Sequence, residues 1–475
     1  MTDYSAQNKA KVALKMTQAR QEFLKNNFWG ALDLYRQADK ANPGSATIAY
    51  RIGEVQYNLK HYKIAREYFE KAKQLDRNVD EELPLMLGYT YHRLAELDLA
   101  VEAYRDYRLS VTDEKAERVN VKDFIDQCLY AKEMMQAPVD VEINNLTLDV
   151  NSRFDDYAPS ITADGKMMVF TSRRPSTSNV VDEAGDFKYF EDIYFCEWDE
   201  EESTWFSAER FDANVNSETH DAVLSIAPDG KQLFVYKNNT RMAGDIFQSD
   251  FNGASWSIPQ KLKGRINTSY FESSVSITAD GNTMYFISER PTGMRHGDIY
   301  RSQRSGTDSW GKPENLGDVI NTYGDEKFVF IHPNGNTLFF ASDGHLTMGS
   351  YDIFRSELKD GKWTTPVNLG YPINTVNEES TFSMTADNKK LLISAEYEDG
   401  IGERDIYEID VSNADILHSL NIDSELLSTH SNVSVFGTIL TNDDKPLPFE
   451  EVRVLDGKTR EHVFTGRTDK DGYYE

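Results

Sequence analysis

The chain has 475 residues, 39% of them hydrophobic, with 79 acidic side chains against 51 basic ones and a formal net charge of -28. That length exceeds one ordinary core and implies roughly two to four domains, and the acidic balance repels nucleic acid phosphates and anionic membrane surfaces, so a nucleic-acid role is set aside. Cys128 and Cys196, the only cysteines, fall in an expected helix and an expected strand of different domains, which excludes a disulfide framework and a thiolate metal site. No apolar run of about 18 residues occurs, and Met1 to Gly30 lacks the charged-then-apolar pattern of a secretory leader.

Residues 1–137 carry a repeat of 34 to 35 residues, in which Ala31, Ala65 and Ala100 share one register and Phe28, Tyr62 and Leu97 a second. Tyr35, Phe69 and Tyr104 share a third, and Gly53 and Gly88 a fourth. This is the tetratricopeptide pattern: a small residue lets the two helices of a hairpin approach, and aromatics at helical spacing fill the gap to the next hairpin. Helices are expected at Ser5–Asn26, Ala31–Ala41, Ala46–Leu59, Tyr62–Leu75, Leu83–Leu94 and Leu97–Ser110, with Val121–Met135 as a cap. Such an array offers a concave surface for a peptide or protein, or serves as a spacer whose aromatics are all core.

From Val141 to Val411 the period changes. The phrase Asp-Ile-aromatic starts at Asp192, Asp245, Asp298, Asp352 and Asp405, with spacings of 53 or 54 residues. A turn pair precedes each phrase, Asp164-Gly165, Asp229-Gly230, Asp280-Gly281, Asn334-Gly335 and the degenerate Asp387-Asn388, and such pairs favour the positive φ of tight hairpins. The turn joins strands one and two, the Asp-Ile phrase is strand three, and Trp205, Trp256, Trp310 and Trp363 are expected to mark strand four, ending at the turn residues Asn216, Asn267, Asn321 and Asn374. Four short strands per unit of about 50 residues predict a β-propeller. Only four Trp-bearing strands stand against five copies of the rest, so Val141–Asp149, followed by the matching turn Val150-Asn151-Ser152, is expected to complete the last blade and close a five-bladed ring over residues 138–411.

Five residues beyond each turn asparagine stands an acid, Asp156, Asp221, Glu272, Glu326 or Glu379. Equivalent positions ring one mouth of a propeller channel, so these acids are expected to form a carboxylate ring, and two uses compete. The ring could hold a cation or a basic peptide, or each acid could accept backbone N–H groups and pair with a neighbour such as Arg174 or Arg290. The aspartates of the Asp-Ile phrase suit turn-capping hydrogen bonds. Tyr157, Tyr270 and Phe271 are rim aromatics that could serve a small-ligand site.

After a polar linker at 412–431, residues 432–475 show strands at Val433–Ile439, Val452–Leu455 and His462–Arg467, similar to a carboxypeptidase-regulatory or transthyretin-like β-sandwich. They are too few to complete a sandwich, and the natural protein is expected to continue. No Gly-x-Ser-x-Gly elbow, phosphate loop or His-Glu-x-x-His motif occurs. No enzyme activity, metal or cofactor is expected, and a glycosidase using channel carboxylates is the competing enzymatic reading.

The turn pair followed by Asp-Ile-Tyr resembles TolB-like propeller repeats. The order of tetratricopeptide array, propeller and regulatory-like sandwich covers nearly the whole chain, and resembles the PorE-like OmpA-family proteins of Bacteroidetes. The resemblance implies a periplasmic, outer-membrane-associated adaptor in type IX secretion or gliding motility, with partners of the PorP/SprF outer-membrane type. It also implies lipid anchoring and peptidoglycan binding through a C-terminal OmpA-like domain, although neither a lipobox cysteine near Met1 nor that domain stands in this sequence. The alternative is a periplasmic propeller that binds a peptide or glycan.

Overall fold

A computed structural model describes residues 2–175, 181–182, 188–238, 244–294, 296–306, 309–397, 400–411, 437–439, 441, 445–455, 462–468 and 473–474. The chain divides into two units, Met1–Leu417 and His418–Glu475.

The first unit opens with eight helices, α1 (Thr2–Leu24), α2 (Phe28–Ala41), α3 (Ala46–Asn58), α4 (Tyr62–Leu75), α5 (Leu83–Arg93), α6 (Leu97–Ser110), α7 (Asp113–Val119) and α8 (Val121–Gln136). They pair as the hairpins α1/α2, α3/α4 and α5/α6, and α8 packs on α6. The repeated positions are the packing positions: Ala31, Ala65 and Ala100 are fully buried, as are Phe69 and Tyr104. A Cβ on Gly53 would lie 2.7 Å from the Phe69 ring, and one on Gly88 would lie 2.5 Å from the Tyr104 ring. Glycine is therefore required where an aromatic of the second helix lies flat on the first. The sequence pattern does not announce α7, a short helix capped by the Thr112 hydroxyl, which accepts from Lys115 N.

Five sheets follow, antiparallel except for the pairing of Lys263–Gly264 with Ser309–Trp310. The innermost, second and third strands are Asp156–Ile161, Met167–Ser172 and Asp192–Asp199 in blade 1, and Ala222–Ile226, Gln232–Asn238 and Gly244–Asp250 in blade 2. Blade 3 has Glu272–Ile277, Thr283–Ser288 and Asp298–Gly306, and blade 4 has Glu326–Ile331, Thr337–Ser342 and Asp352–Lys359. Blade 5 has Phe382–Met384, Lys390–Ala395 and Asp405–Asp410. The fourth strands are two-residue pieces in blades 1 to 4, at Glu209–Arg210, Gln260–Lys261, Glu314–Asn315 and Val367–Asn368. In blade 5 the fourth strand is Glu142–Asn145, which pairs antiparallel with Asp405–Asp410 and closes the ring from the other end of the propeller sequence. This strand is shorter than the expected 141–149, because the chain turns through a helical turn, Thr147–Val150, to deliver Asn151.

The tryptophans stand in the fourth-strand run, as expected, ahead of the pieces just named. Trp205, Trp310 and Trp363 sit in two-residue strands that pair antiparallel with the far end of strand three, and Trp256 bridges Phe251. Each packs between blades. Trp205 joins a core with Phe170, Tyr194 and Leu392, Trp256 one with Ile193 and Leu233, and Trp310 one with Phe234 and Phe286. Trp363 lies against the core of Tyr285 and Phe340. The innermost strands are also tied to one another, as Ser160 Oγ accepts from Ile226 N, Ser276 Oγ from Ile331 N and Ser383 Oγ from Ile161 N.

The turn asparagines carry the repeat's strongest polar constraint. Asn216 accepts from Ile193 N at 2.7 Å and donates to Ile193 O at 2.9 Å, a side-chain imitation of a β-ladder pair. Asn267 does the same to Ile246, Asn321 to Ile299 and Asn374 to Ile353. Asn151 repeats it on Ile406, 255 residues away, accepting at 2.8 Å and donating at 2.9 Å.

In the second unit Gly437–Thr438 pairs with Tyr473–Tyr474, and Glu451–Leu455 pairs with His462–Arg467. The expected linker at 412–431 and the first part of the expected strand Val433–Ile439 lie outside the described residues.

Asn151→Ala should remove the bonds to Ile406 and to Asn145 and strand the Ile406 amide, while the Ile406 carbonyl keeps its bond from Leu146 N. An orphaned buried group costs about 1–3 kcal/mol, so the propeller should lose about 1–3 kcal/mol, read as a lower urea midpoint at unchanged m-value.

Candidate interaction site between array and propeller

The array docks on blades 4 and 5. His92 of α5 is 5% exposed and contacts Met348 O through Nε2 at 2.8 Å. Burial pushes its pKa down to about 4, so the ring is neutral at physiological pH and Nε2–H is the donor. Arg93 donates to Val376 O at 3.1 Å, and Gln127 of α8 donates to Thr347 Oγ1 at 2.9 Å. Val139 N donates to Tyr371 O at 2.6 Å, and Lys60 pairs with Glu396.

The bond to Met348 continues into blade 4. Met348 N donates to Asp352 Oδ2 at 2.7 Å, and Asn368 Nδ2 donates to the same oxygen at 2.6 Å. Asp352 is the aspartate of its Asp-Ile phrase. In blades 3, 4 and 5 this residue caps the loop before it, through Met294 N, Met348 N and Gly402 N. In blades 1 and 2 it pairs with a cation on strand four, Asp192 with Arg210 and Asp245 with Lys261, and part of the loop before it lies outside the described residues. The capping reading thus fits blades 3 to 5.

The five candidate ring acids occupy equivalent positions, but each is fully buried and turned onto its own blade. None presents a free carboxylate at a channel mouth. Asp156 accepts from Ser152 N and Oγ, both at 2.6 Å, and pairs with Arg174 at 2.7 Å. Asp221 accepts from Ser217 and pairs with Lys237 at 2.7 Å. Glu272 accepts from Thr268 and Ser288, with Arg290 at 3.5 Å. Glu326 accepts from Thr322 and Ser342, and Glu379 from Thr375 N and Oγ1. Among the described residues no three His, Cys, Asp or Glu side chains are placed to hold a metal ion.

Blades 4 and 5 lack the cation. The Arg174 and Arg290 positions, two residues past strand two, are Gly344 and Tyr397, and burial pushes Glu326 up to about 7 and Glu379 up to about 8. Asp352 beside Glu379 is likewise pushed up by burial, to about 7. These are the blades that carry the array.

A charged network that the repeat does not predict gathers at the residues flanking the acids. Tyr157 donates to Glu191 at 2.5 Å, and His220 contacts Glu191 at 2.9 Å and Asp182 at 3.1 Å. Its hydrogen bond to Glu191 raises the His220 pKa. Phe271 packs on Tyr236 at 5.9 Å, while Tyr270 stays 44% exposed, so the three rim aromatics have different surroundings.

Between the array and blades 3 to 5 lies a cleft of about 1390 Å³. Tyr57, Tyr89 and Phe124 of α3, α5 and α8 form its array wall, and the loops around Tyr323 and Leu346 form its propeller wall. No single motif identifies it, because its walls come from the array and from propeller loops far apart in the sequence.

Residues 46–79, which are α3, α4 and the turn after them, match the tetratricopeptide repeat family. No curated protein matches the chain. Among solved structures, TolB from Acinetobacter baumannii is similar at 18% identity and a TM-score of 0.32, over 51% of this chain and 53% of that one. The chain thus spans about half the length of that TolB. A putative TolB from Agrobacterium tumefaciens is similar at 15% identity and a TM-score of 0.34, over 55% and 78%. The Arabidopsis OM64 tetratricopeptide domain is similar at 18% and 0.23, over 25% and 96%. The architecture stands on its own helix hairpins and strand pairings.

The raised carboxyl pKa values give a signed expectation. A carboxyl whose folded pKa exceeds its unfolded value binds its proton more tightly when folded, so its contribution is complete below about pH 4 and is lost as pH rises through the folded pKa. Glu326, Asp352 and Glu379 should therefore make the first unit less stable as pH rises from about 5 to about 7, by about 1.4 kcal/mol per pH unit for each such group, with the loss levelling off above about pH 8. Thermal midpoints measured across that range should fall, and Glu379→Gln should flatten the slope.

Proposed function

We propose that the chain is a non-catalytic interaction scaffold of the bacterial periplasm, which couples an outer-membrane assembly of the type IX secretion or gliding type to peptidoglycan. The observation that carries the scaffold reading is the junction itself. Two repeat architectures with large surfaces are joined through His92, Arg93 and Gln127 into one unit, which suits a part that must hold partners at a defined spacing. The domain order supplies the finer reading, in which an OmpA-like domain of the same protein grips the wall and an outer-membrane protein of the PorP/SprF type is the partner. The envelope address and the absence of catalysis belong to this reading as well.

Affinity capture of the full-length protein from its native envelope, with peptidoglycan co-sedimentation in parallel, tests it. The expected result is an outer-membrane barrel in the eluate and protein in the wall pellet. A clean eluate and an empty pellet would overturn the adaptor reading.

A further inference from the structure

The cleft between array and propeller has a chemistry of its own. Four carboxylates line it, Asp123 and Asp126 on α8 and Asp318 and Asp343 on propeller loops. Asp123 and Asp318 have no hydrogen-bond or ion-pair partner for their side chains among the described residues. Asp126 pairs with Lys122, and Asp343 accepts from Asp325 N at 2.7 Å. Burial pushes the pKa of both Asp123 and Asp343 up, as expected of carboxylates that lack counter-charge.

The lining groups that could supply that charge are already engaged. Arg93 donates to Val376 O, His92 donates to Met348 O, and His345 contacts Ile320 O at 2.9 Å, its pKa lowered by burial. Among the described lining residues four carboxylates stand against the one guanidinium of Arg93, so that lining carries net negative charge. Between the acids lie aromatic surfaces, with Tyr89 edge-on to Phe124 at 5.1 Å and Tyr323 on the propeller rim 73% exposed.

A separate observation points the same way. Tyr104 lines the cleft and is fully buried, stacked on Phe124 at 5.5 Å, yet its hydroxyl has no hydrogen-bond partner. A buried hydroxyl without a partner costs about 1–3 kcal/mol, and a phenylalanine would fill the same space without that cost. The volume of about 1390 Å³ exceeds the roughly 300–1,000 Å³ typical of small-molecule sites.

We infer that this cleft binds an extended peptide segment carrying lysine or arginine side chains, with the aromatics stacking on the cations and the acids pairing with them. The inference rests on the scaffold reading for its biological sense, and adds that the receiving surface is shared by both architectures.

The probe is a fluorescein-labelled peptide of repeated Lys-Tyr-Gly, about nine residues long and so roughly 30 Å when extended, with a Glu-Tyr-Gly repeat as its charge-reversed partner. Fluorescence anisotropy on the full chain should show binding of the basic peptide and none of the acidic one. Asp123→Asn with Asp343→Asn should weaken binding about tenfold, equivalent to about 1.4 kcal/mol. Glu201→Gln with Glu202→Gln, on an exposed blade 1 turn, should change it less than about twofold, which separates the cleft from diffuse attraction to an acidic protein. Tyr104→Phe should weaken binding while raising the thermal midpoint, since it removes a buried hydroxyl that has no partner. Absence of basic-peptide binding, equal losses in the two acid pairs, or unchanged affinity in the cleft variants overturns the inference.

Envelope capture with the Asp123/Asp343 variant separates the two readings. A partner captured equally by wild type and variant leaves the scaffold standing and removes the cleft from it. Capture of nothing, with peptide binding intact, removes the scaffold and leaves the cleft.

Discussion

The propeller depends on one repeated polar contact, an asparagine amide that replaces a missing β-ladder pair. At each blade boundary the chain must leave one sheet and enter the next, and the isoleucine after each Asp would otherwise bury an amide without a partner and a carbonyl with one backbone donor alone. A carboxamide satisfies both at once because it carries an acceptor and a donor side by side. In four blades the contact spans 21 to 23 residues. At the fifth it spans 255, from Asn151 to Ile406, and the local device becomes the lock of the ring. The Glu142–Asn145 strand and the shared core around Trp205 and Leu392 act at the same seam.

The array is joined to this ring where the ring is electrostatically least settled. Blades 1 to 3 answer their buried acid with Arg174, Lys237 or Arg290, whereas blades 4 and 5 leave it to hydroxyl and amide donors alone. The chain His92, Met348, Asp352, Asn368 connects a helix of the array to the interior of blade 4 through consecutive hydrogen bonds. Protonation at Asp352 and Glu379 therefore acts on the joint as well as on the blades.

Much of this was legible in the sequence, for a physical reason: repeats write their packing rules several times. Ala31, Ala65 and Ala100 announce the helix hairpins, and the Asp-Ile spacing announces the blades, because each copy must meet the same neighbours. The closing strand followed from counting. Where one residue serves two roles, the pattern showed only one. The tryptophans begin the outer strand beside strand three and also wedge each blade against its neighbour, and only the first role was read from their recurrence. The five acids recur because every turn before an innermost strand needs an acceptor, and their common position did not reveal that they face inward. The cleft was not legible at all, since Tyr89 and Phe124 of the array share no period with Tyr323 of the propeller, and the two walls face each other only through the docking.

The closing strand also sets how the molecule would carry load. Glu142 lies opposite Asp410, so the chain enters the propeller from the array and leaves it at the same end of one antiparallel ladder. Tension between the array and the chain beyond Val411 would open that ladder by unzipping, one pair at a time from Glu142 towards Asn145, rather than by shearing all four pairs together. The array's contacts with Met348, Val376 and Thr347 lie off that line and divert part of the pull into blades 4 and 5. The propeller is in this sense a clasp whose mechanical strength resides in its seam and in the array resting beside it, while blades 1 to 3 stay out of the line of force.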